Sequence, residues 1–316
     1  LFPLMEVTIQ LYFRAALSMP DMLVRLSCNI NSDMRFFGHI ASAALVLWMM
    51  TAVSCENKPS NEEFPELKTC QVLKDRELSS QVLGRTVRFN VILPPDFSEE
   101  GKYNVIYLLH GMGDDNRAWS ESPQIRGQVN SLAFELGQMI TEGAIAPTVI
   151  IMPQAWNSFY LDSSDAQKYI GGFCDLMDYE TFFHEEFMPH VEKKYHIDSR
   201  RECRAIAGLS MGGYGSSYYA LKYPEKFCCL YAMSQAFFNP LTELAMKADK
   251  DALPVIYIAN GTNDMTVGQA PKQFSELLES CGIEHSYEEW YGGHDWKFWG
   301  ECIPKFLKAF GKEFNK

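Results

Sequence analysis

Val105-Ile106-Tyr107-Leu108-Leu109 is apolar at five successive positions, and similar apolar runs recur at 148–152, 227–233 and 254–259. A strand with one face in water alternates apolar and polar residues. A run without that alternation belongs to a sheet covered on both faces. Further strands are predicted at 86–93, 204–207 and 285–290, with the run around Val105 spanning 104–109. Helical patterns at 128–142, 179–195, 211–221, 271–281 and 296–314 fall between the runs. Strand–helix alternation predicts parallel strands joined by right-handed crossovers. The expected fold class is α/β: a mostly parallel central sheet with helices on both faces. In such sheets ligands bind outside the carboxyl ends of the strands, so chemistry is expected just after each strand.

Charge narrows the possible partners. Twenty-eight Lys and Arg residues against 40 Asp and Glu leave a net charge of −12, whereas binding nucleic acid needs a basic face. Nine cysteines in 316 residues do not make a disulfide-built scaffold. With Cys228-Cys229 as the closest pair and no CxxC spacing, no metal site is expected. Seven cysteines follow Cys55, an odd number, so at least one is unpaired within the chain; most are expected to be buried, inert thiols.

The N-terminal region reads as an address. Residues 1–33 show no sustained period and are taken as a misassigned upstream start, with Met34 the expected initiator. Arg35, an apolar run over 40–53 and small residues before Cys55 make a secretory signal peptide at 34–54; the run is too short to span a membrane, which takes about 20 residues. Ala52-Val53-Ser54-Cys55 resembles a bacterial lipobox, in which the cysteine is lipidated. The expectation is an exported lipoprotein, periplasmic or surface-anchored, that meets the membrane through Cys55 alone. The alternative is a buried N-terminal helix with an incidental cysteine. Residues 55–79 are expected to form a tether and an N-terminal strand region, and 80–316 one α/β domain.

Four strand ends carry the chemistry. After the 204–207 run comes Gly208-Leu209-Ser210-Met211-Gly212, a GxSxG between a strand and a helix. Ser210 there would occupy a strained turn with its hydroxyl clear of the backbone, and glycines two residues to either side would remove Cβ atoms that clash. The helix N-terminus that follows favours a developing oxyanion. The competing reading is a glycine-rich turn with a capping serine. After 104–109 comes His110-Gly111-Met112-Gly113-Asp114, where the N–H of Met112 would pair with that of Met211 as an oxyanion hole. His110 itself is expected to hold the loop. After 254–259 comes Asp264, which can reach a histidine on the next loop. Asp249 and Asp251 precede that strand, and Asp295 adjoins the candidate histidine. After 285–290 comes Gly292-Gly293-His294, where the glycines let the loop turn the imidazole towards Ser210. The order Ser210, Asp264, His294 is that of α/β-hydrolases and not of either serine-protease fold.

His110-Gly111-Met112-Gly113 with Trp119 downstream, Gly208-Leu209-Ser210-Met211-Gly212-Gly213, and Gly292-Gly293-His294-Asp295-Trp296 together resemble the esterase D–like esterase family. That family includes the feruloyl and acetylxylan esterases of carbohydrate esterase family 1. The resemblance covers about 80–314. It implies an α/β-hydrolase catalytic domain with a Ser210–Asp264–His294 triad, no metal and no organic cofactor. The implied reaction is two-step acyl transfer on an ester substrate, with acylated xylan or a related oligosaccharide the expected partner. Alternatives are a general carboxylesterase, an S-formylglutathione hydrolase-like esterase, a sugar acyltransferase and a non-catalytic glycan-binding lipoprotein. The aromatic loop over 153–162 suggests a substrate wall at Trp156 and Tyr160, with Trp119 near the same cleft. Alternatively Trp156 and Tyr160 are loop anchors.

Overall fold

The computed structural model describes residues 69–121 and 131–316. The segments 1–33 and 34–54 and the proposed lipidation site Cys55 lie outside them. The chain divides into units 1–63 and 64–316, and every described residue belongs to the second.

Among the described residues, eight strands form one sheet: β1 (Gln71–Ser80), β2 (Arg85–Leu93), β3 (Asn104–Leu109), β4 (Thr148–Pro153), β5 (Arg204–Leu209), β6 (Cys229–Met233), β7 (Val255–Gly261) and β8 (Ser286–Trp290). Their order across the sheet is β1-β2-β4-β3-β5-β6-β7-β8. The hairpin β1–β2 and the pair β2–β4 are antiparallel; every other pair is parallel. All residues of β3 and β4 are buried, as continuously apolar runs require. Strand β1 lies inside the region expected to be tether and strand, but it runs one residue past the 79/80 boundary and is an integral edge of the sheet. Its burial is slight along most of its length, so apolar periodicity gives little sign of it.

The helices are α1 (Ala118–Glu121), α2 (Leu132–Thr141), α3 (Ser163–Tyr169), α4 (Tyr179–Thr181), α5 (Met188–Lys194), α6 (Met211–Lys222), α7 (Asn239–Lys247), α8 (Ala270–Ser280) and α9 (Trp296–Phe314). They cover both faces. Tyr107, Phe183, Tyr214, Tyr219 and Phe274 belong to the core on one side, and Ile106, Leu108, Trp119, Phe306 and Phe310 to the core on the other. Each fully buried side chain of this size contributes roughly 1.5–3 kcal/mol of transfer free energy. The continuous helix expected over 179–195 is interrupted by a π-turn, Phe182–Phe187. The wider turn lets Phe182, Phe183 and Phe187 all bury, with Phe187 edge-on to Phe89 and Phe183 edge-on to Tyr107. Helices α1, α3 and α7, at nine residues or fewer, fall between the expected elements. The parallel arrangement gathers the carboxyl ends of β3, β5, β7 and β8 along one edge of the sheet.

Candidate active site

Ser210 follows β5 and caps α6 with φ 53° and ψ −115°, a left-handed conformation rare for a residue with a Cβ. Its neighbours make that turn sterically possible. A Cβ on Gly208 would lie 2.2 Å from the Gly212 carbonyl oxygen, and one on Gly212 would lie 2.5 Å from that of Leu109. Both contacts are with backbone, so neither could be relieved by a rotamer change. The same close packing brings the end of β3 against the first turn of α6. The turn is fixed further by the Ser210 N–H, which donates to the Met233 carbonyl at 2.9 Å.

His294 lies on the loop after β8 and is brought to Ser210 by a close approach of two loops. A Cβ on Gly261 would be 2.4 Å from the Gly292 carbonyl, which accepts from the Asn263 N–H at 2.9 Å. The imidazole then bridges two partners: Nε2 is 3.0 Å from Ser210 Oγ and Nδ1 is 2.8 Å from Asp264 Oδ2. Trp299 packs edge-on against the ring at 5.0 Å between centroids. Asp295 turns away and caps α9, its Oδ1 accepting from the Phe298 N–H at 3.0 Å.

Asp264 is buried at the end of β7. Burial alone would raise its pKa. The hydrogen bonds from His294 and from the Val267 N–H, with the imidazole's charge, outweigh burial and hold it below the usual carboxylate range. Its second oxygen, Oδ1, accepts from the Thr266 and Val267 N–H groups at 3.0 and 3.1 Å. The carboxylate is thus aimed at His294 Nδ1 and leaves Nε2 to face the serine.

Across from Ser210 runs the loop after β3. Met211 is the first residue of α6, so its N–H has no acceptor within that helix. Among the described residues no acceptor meets the Met112 N–H. The Met112 side chain is exposed, as is Gly113 after it, while Gly111 before it is buried. His110 is buried; its Nδ1 donates to the Gly111 carbonyl at 2.7 Å and its Nε2 accepts from the Ala155 N–H at 2.9 Å. Both nitrogens are committed to holding the loop. Burial lowers its pKa to about 4, which keeps the ring neutral.

A family model described as "Putative esterase" matches residues 80–310 of this chain. The chain belongs to that esterase family. An acetyl esterase of Caldicellulosiruptor saccharolyticus is 27% identical over 74% of this chain and 96% of its own length. An endo-1,4-beta-xylanase/feruloyl esterase of Xylanibacter ruminicola is 25% identical over 74% of this chain, a match that takes in 30% of that longer protein. Among solved structures, a ferulic acid esterase superposes with a TM-score of 0.66 at 27% identity, covering 78% of this chain and all of its own. A CE1 ferulic acid esterase from Anaeromyces mucronatus shares the fold, with a TM-score of 0.61 at 24% identity over 80% of this chain and 94% of its own. The protein is accordingly an α/β-hydrolase and a carboxylic ester hydrolase.

Two of the three rings expected beside the substrate are buried. Trp119 is 1% exposed; its Nε1 donates to the Leu109 carbonyl and its ring packs edge-on against Trp296. Tyr160 is fully buried, its hydroxyl donating to the His110 carbonyl at 3.0 Å. Trp119 holds the last carbonyl of β3 and Tyr160 the next one, from the cores on opposite sides of the sheet, and neither ring offers a face to a substrate. Trp156 is half-buried, but the Arg85 guanidinium sits over its ring at 4.7 Å. It borders a mostly polar cleft with Asp75, Arg88, Asn116 and Gln154. The residue missed in the sequence is Asn157, whose Oδ1 accepts from the Gly113 N–H at 2.8 Å. Its place in an aromatic, polar loop was the one available signal. Among the described residues no three His, Cys, Asp or Glu side chains gather as metal ligands would, and seven cysteines are free. Burial raises Cys70 and Cys228 to about 12, which leaves both as inert thiols.

Proposed function

We propose that the esterase works through a Ser210–His294–Asp264 triad and an acyl-enzyme. Ser210 Oγ attacks the ester carbonyl carbon while His294 Nε2 takes its proton, and the carbonyl oxygen becomes an oxyanion held by the Met112 and Met211 N–H groups. The tetrahedral species collapses, His294 returns the proton to the alcohol oxygen, and the C–O bond breaks. Water then attacks the acyl-serine with His294 again accepting a proton, and the acid leaves as Ser210 is restored. Asp264 keeps the imidazole in the tautomer that presents Nε2 to the serine. The observation that carries this reading is the unbroken chain from Ser210 Oγ through the imidazole to Asp264, at 3.0 and 2.8 Å.

For substrate, we infer feruloyl or acetyl esters of xylan or its oligosaccharides. Support comes from the relatives, one named an acetyl esterase and one a xylanase/feruloyl esterase. A general carboxylesterase is the second reading. It is favoured by the burial of Trp119 and Tyr160, which removes two of the three rings expected to stack on a sugar or phenol. The test is a panel of methyl ferulate, acetylated xylan, and p-nitrophenyl acetate and butyrate. The first reading expects higher kcat/KM on methyl ferulate or acetylated xylan than on p-nitrophenyl butyrate, after allowance for leaving-group reactivity. Turnover confined to the p-nitrophenyl esters would favour the second.

A further inference from the structure

The loop that carries the oxyanion donor is loose by composition. Gly111 and Gly113 flank Met112, and Gly113 holds φ at +82°, so the backbone on either side of Met112 has wide freedom. An oxyanion donor serves catalysis only when it is already aimed before charge develops. Within the loop the Asp114 N–H closes a turn on the Gly111 carbonyl at 3.2 Å, and the exposed Gly113 end needs support from outside.

That support comes from the loop after β4. At one end, His110 is held by the Ala155 N–H on its Nε2 and by the Tyr160 hydroxyl on its carbonyl. At the other end, the Gly113 N–H is held by Asn157 Oδ1 at 2.8 Å. Asn157 is itself tied on its backbone: its N–H donates to Asp175 Oδ2 at 3.0 Å, and its carbonyl accepts from the Asp175 N–H at 3.1 Å. Trp156, Phe159 and Tyr160 sit at φ 47°, 54° and 63°, so the backbone around Asn157 is bent into left-handed conformations that direct its amide back at Gly113.

We propose that Asn157 is a positioning residue for the esterase's oxyanion hole, fixing Met112 by anchoring Gly113, and that Asp175 acts on the hole through Asn157. Asn157 touches no reacting atom. It limits the Met112 N–H to the direction in which it meets the oxyanion, so its removal costs the transition state more than the bound ester. The inference rests on Ser210 being the nucleophile.

The experiment measures kcat and KM on p-nitrophenyl acetate, and Ki for phenylboronic acid, whose tetrahedral serine adduct carries an oxygen where the oxyanion forms. Losing one donor outright costs about 100- to 1,000-fold in kcat. Misaiming one should cost Asn157→Ala about ten- to a hundredfold, with KM nearly unchanged and Ki raised by the factor that kcat/KM falls. Asp175→Ala, on the loop between α3 and α4, is expected to lose less. The double variant should be no worse than Asn157→Ala alone, since both act on one contact. The proposal is overturned if kcat of Asn157→Ala stays within about twofold of wild type, if kcat falls while the boronate Ki does not move, or if the two losses multiply. Ser210→Ala separates the two layers. If it is inactive while Asn157→Ala is normal, only this inference fails; if it stays active, the catalytic reading falls and takes the inference with it.

Discussion

Two loops at the carboxyl edge of the sheet keep strained backbone by different means. The turn 208–212, after β5, holds Ser210 at φ 53°, and the loop 154–160, after β4, holds Trp156, Phe159 and Tyr160 between 47° and 63°. Each such residue costs on the order of 1–3 kcal/mol unless its surroundings dictate it. In the turn, backbone dictates it: Gly208 and Gly212 leave no room for a side chain, so helix and strand close on each other and only one path is left. In the loop, side chains dictate it. Phe159 packs edge-on against Phe238, Tyr160 packs edge-on against Tyr179, and the Tyr160 hydroxyl holds the His110 carbonyl. Strain enforced by backbone leaves a residue-type signature, and strain enforced by packed rings leaves almost none.

Experiments can separate the two mechanisms, beginning with the largest effect. His294→Ala removes the proposed base, which the turn faces, and kcat should fall by on the order of 10⁶ with the fold intact. Asp264→Asn should fall by less. A loss below tenfold for His294→Ala, in steady-state assays on p-nitrophenyl acetate, would mean that the strained turn serves no triad.

His110 joins both loops, and its titration tests that joint. Its folded pKa, about 4, lies below the ordinary 6.5 because burial disfavours the charged ring. The unfolded chain therefore binds the extra proton first. The stability held by the neutral ring is fully present above pH 6.5 and is lost as pH falls towards 4. The loss amounts to about 3 kcal/mol. Urea midpoints measured across that window should drop in wild type and drop less in His110→Asn. A flat wild-type profile would contradict the buried, neutral assignment.

On the turn side, Gly212→Ala places a Cβ against the Leu109 and His110 carbonyls at 2.5 and 2.6 Å. Stability should fall by about 1–3 kcal/mol. Activity should fall too, because the clash pushes the loop after β3, with its proposed oxyanion donor, away from Ser210. On the loop side, Tyr160→Phe removes one buried hydroxyl and leaves the His110 carbonyl without that donor, for a loss of about 1 kcal/mol in thermal unfolding. Its kcat should fall less than that of Gly212→Ala. The reverse ranking would show that the rings, rather than the glycines, set the catalytic geometry.

The same contrast explains what could be read in the sequence. The parallel sheet was legible because strands buried on both faces must be continuously apolar, as β3 and β4 are. Ser210, Asp264 and His294 were legible because each follows a strand in the required order and because Gly208, Gly212, Gly261 and Gly292 stand where backbones nearly touch. Strand β1 was not, since its mostly open surface carries no burial pattern. Tyr160 looked like part of a substrate wall because an aromatic residue in a loop has the same letter whether its ring faces solvent or props up a neighbour, and Trp119 was placed near the cleft by its position in a motif alone. The role of Asn157 was hard to read for a related reason: its loop was marked out, but its partner, the Gly113 N–H, is backbone and belongs to a loop 44 residues away.

The most direct test of the central claim is to find where the acyl group goes. Wild-type enzyme mixed with p-nitrophenyl acetate and quenched in acid within the first turnovers should carry one acetyl group, on the peptide that contains Ser210. Ser210→Ala should carry none and release no burst of p-nitrophenol. Acetyl found on another residue, or an undiminished burst from Ser210→Ala, would contradict the account.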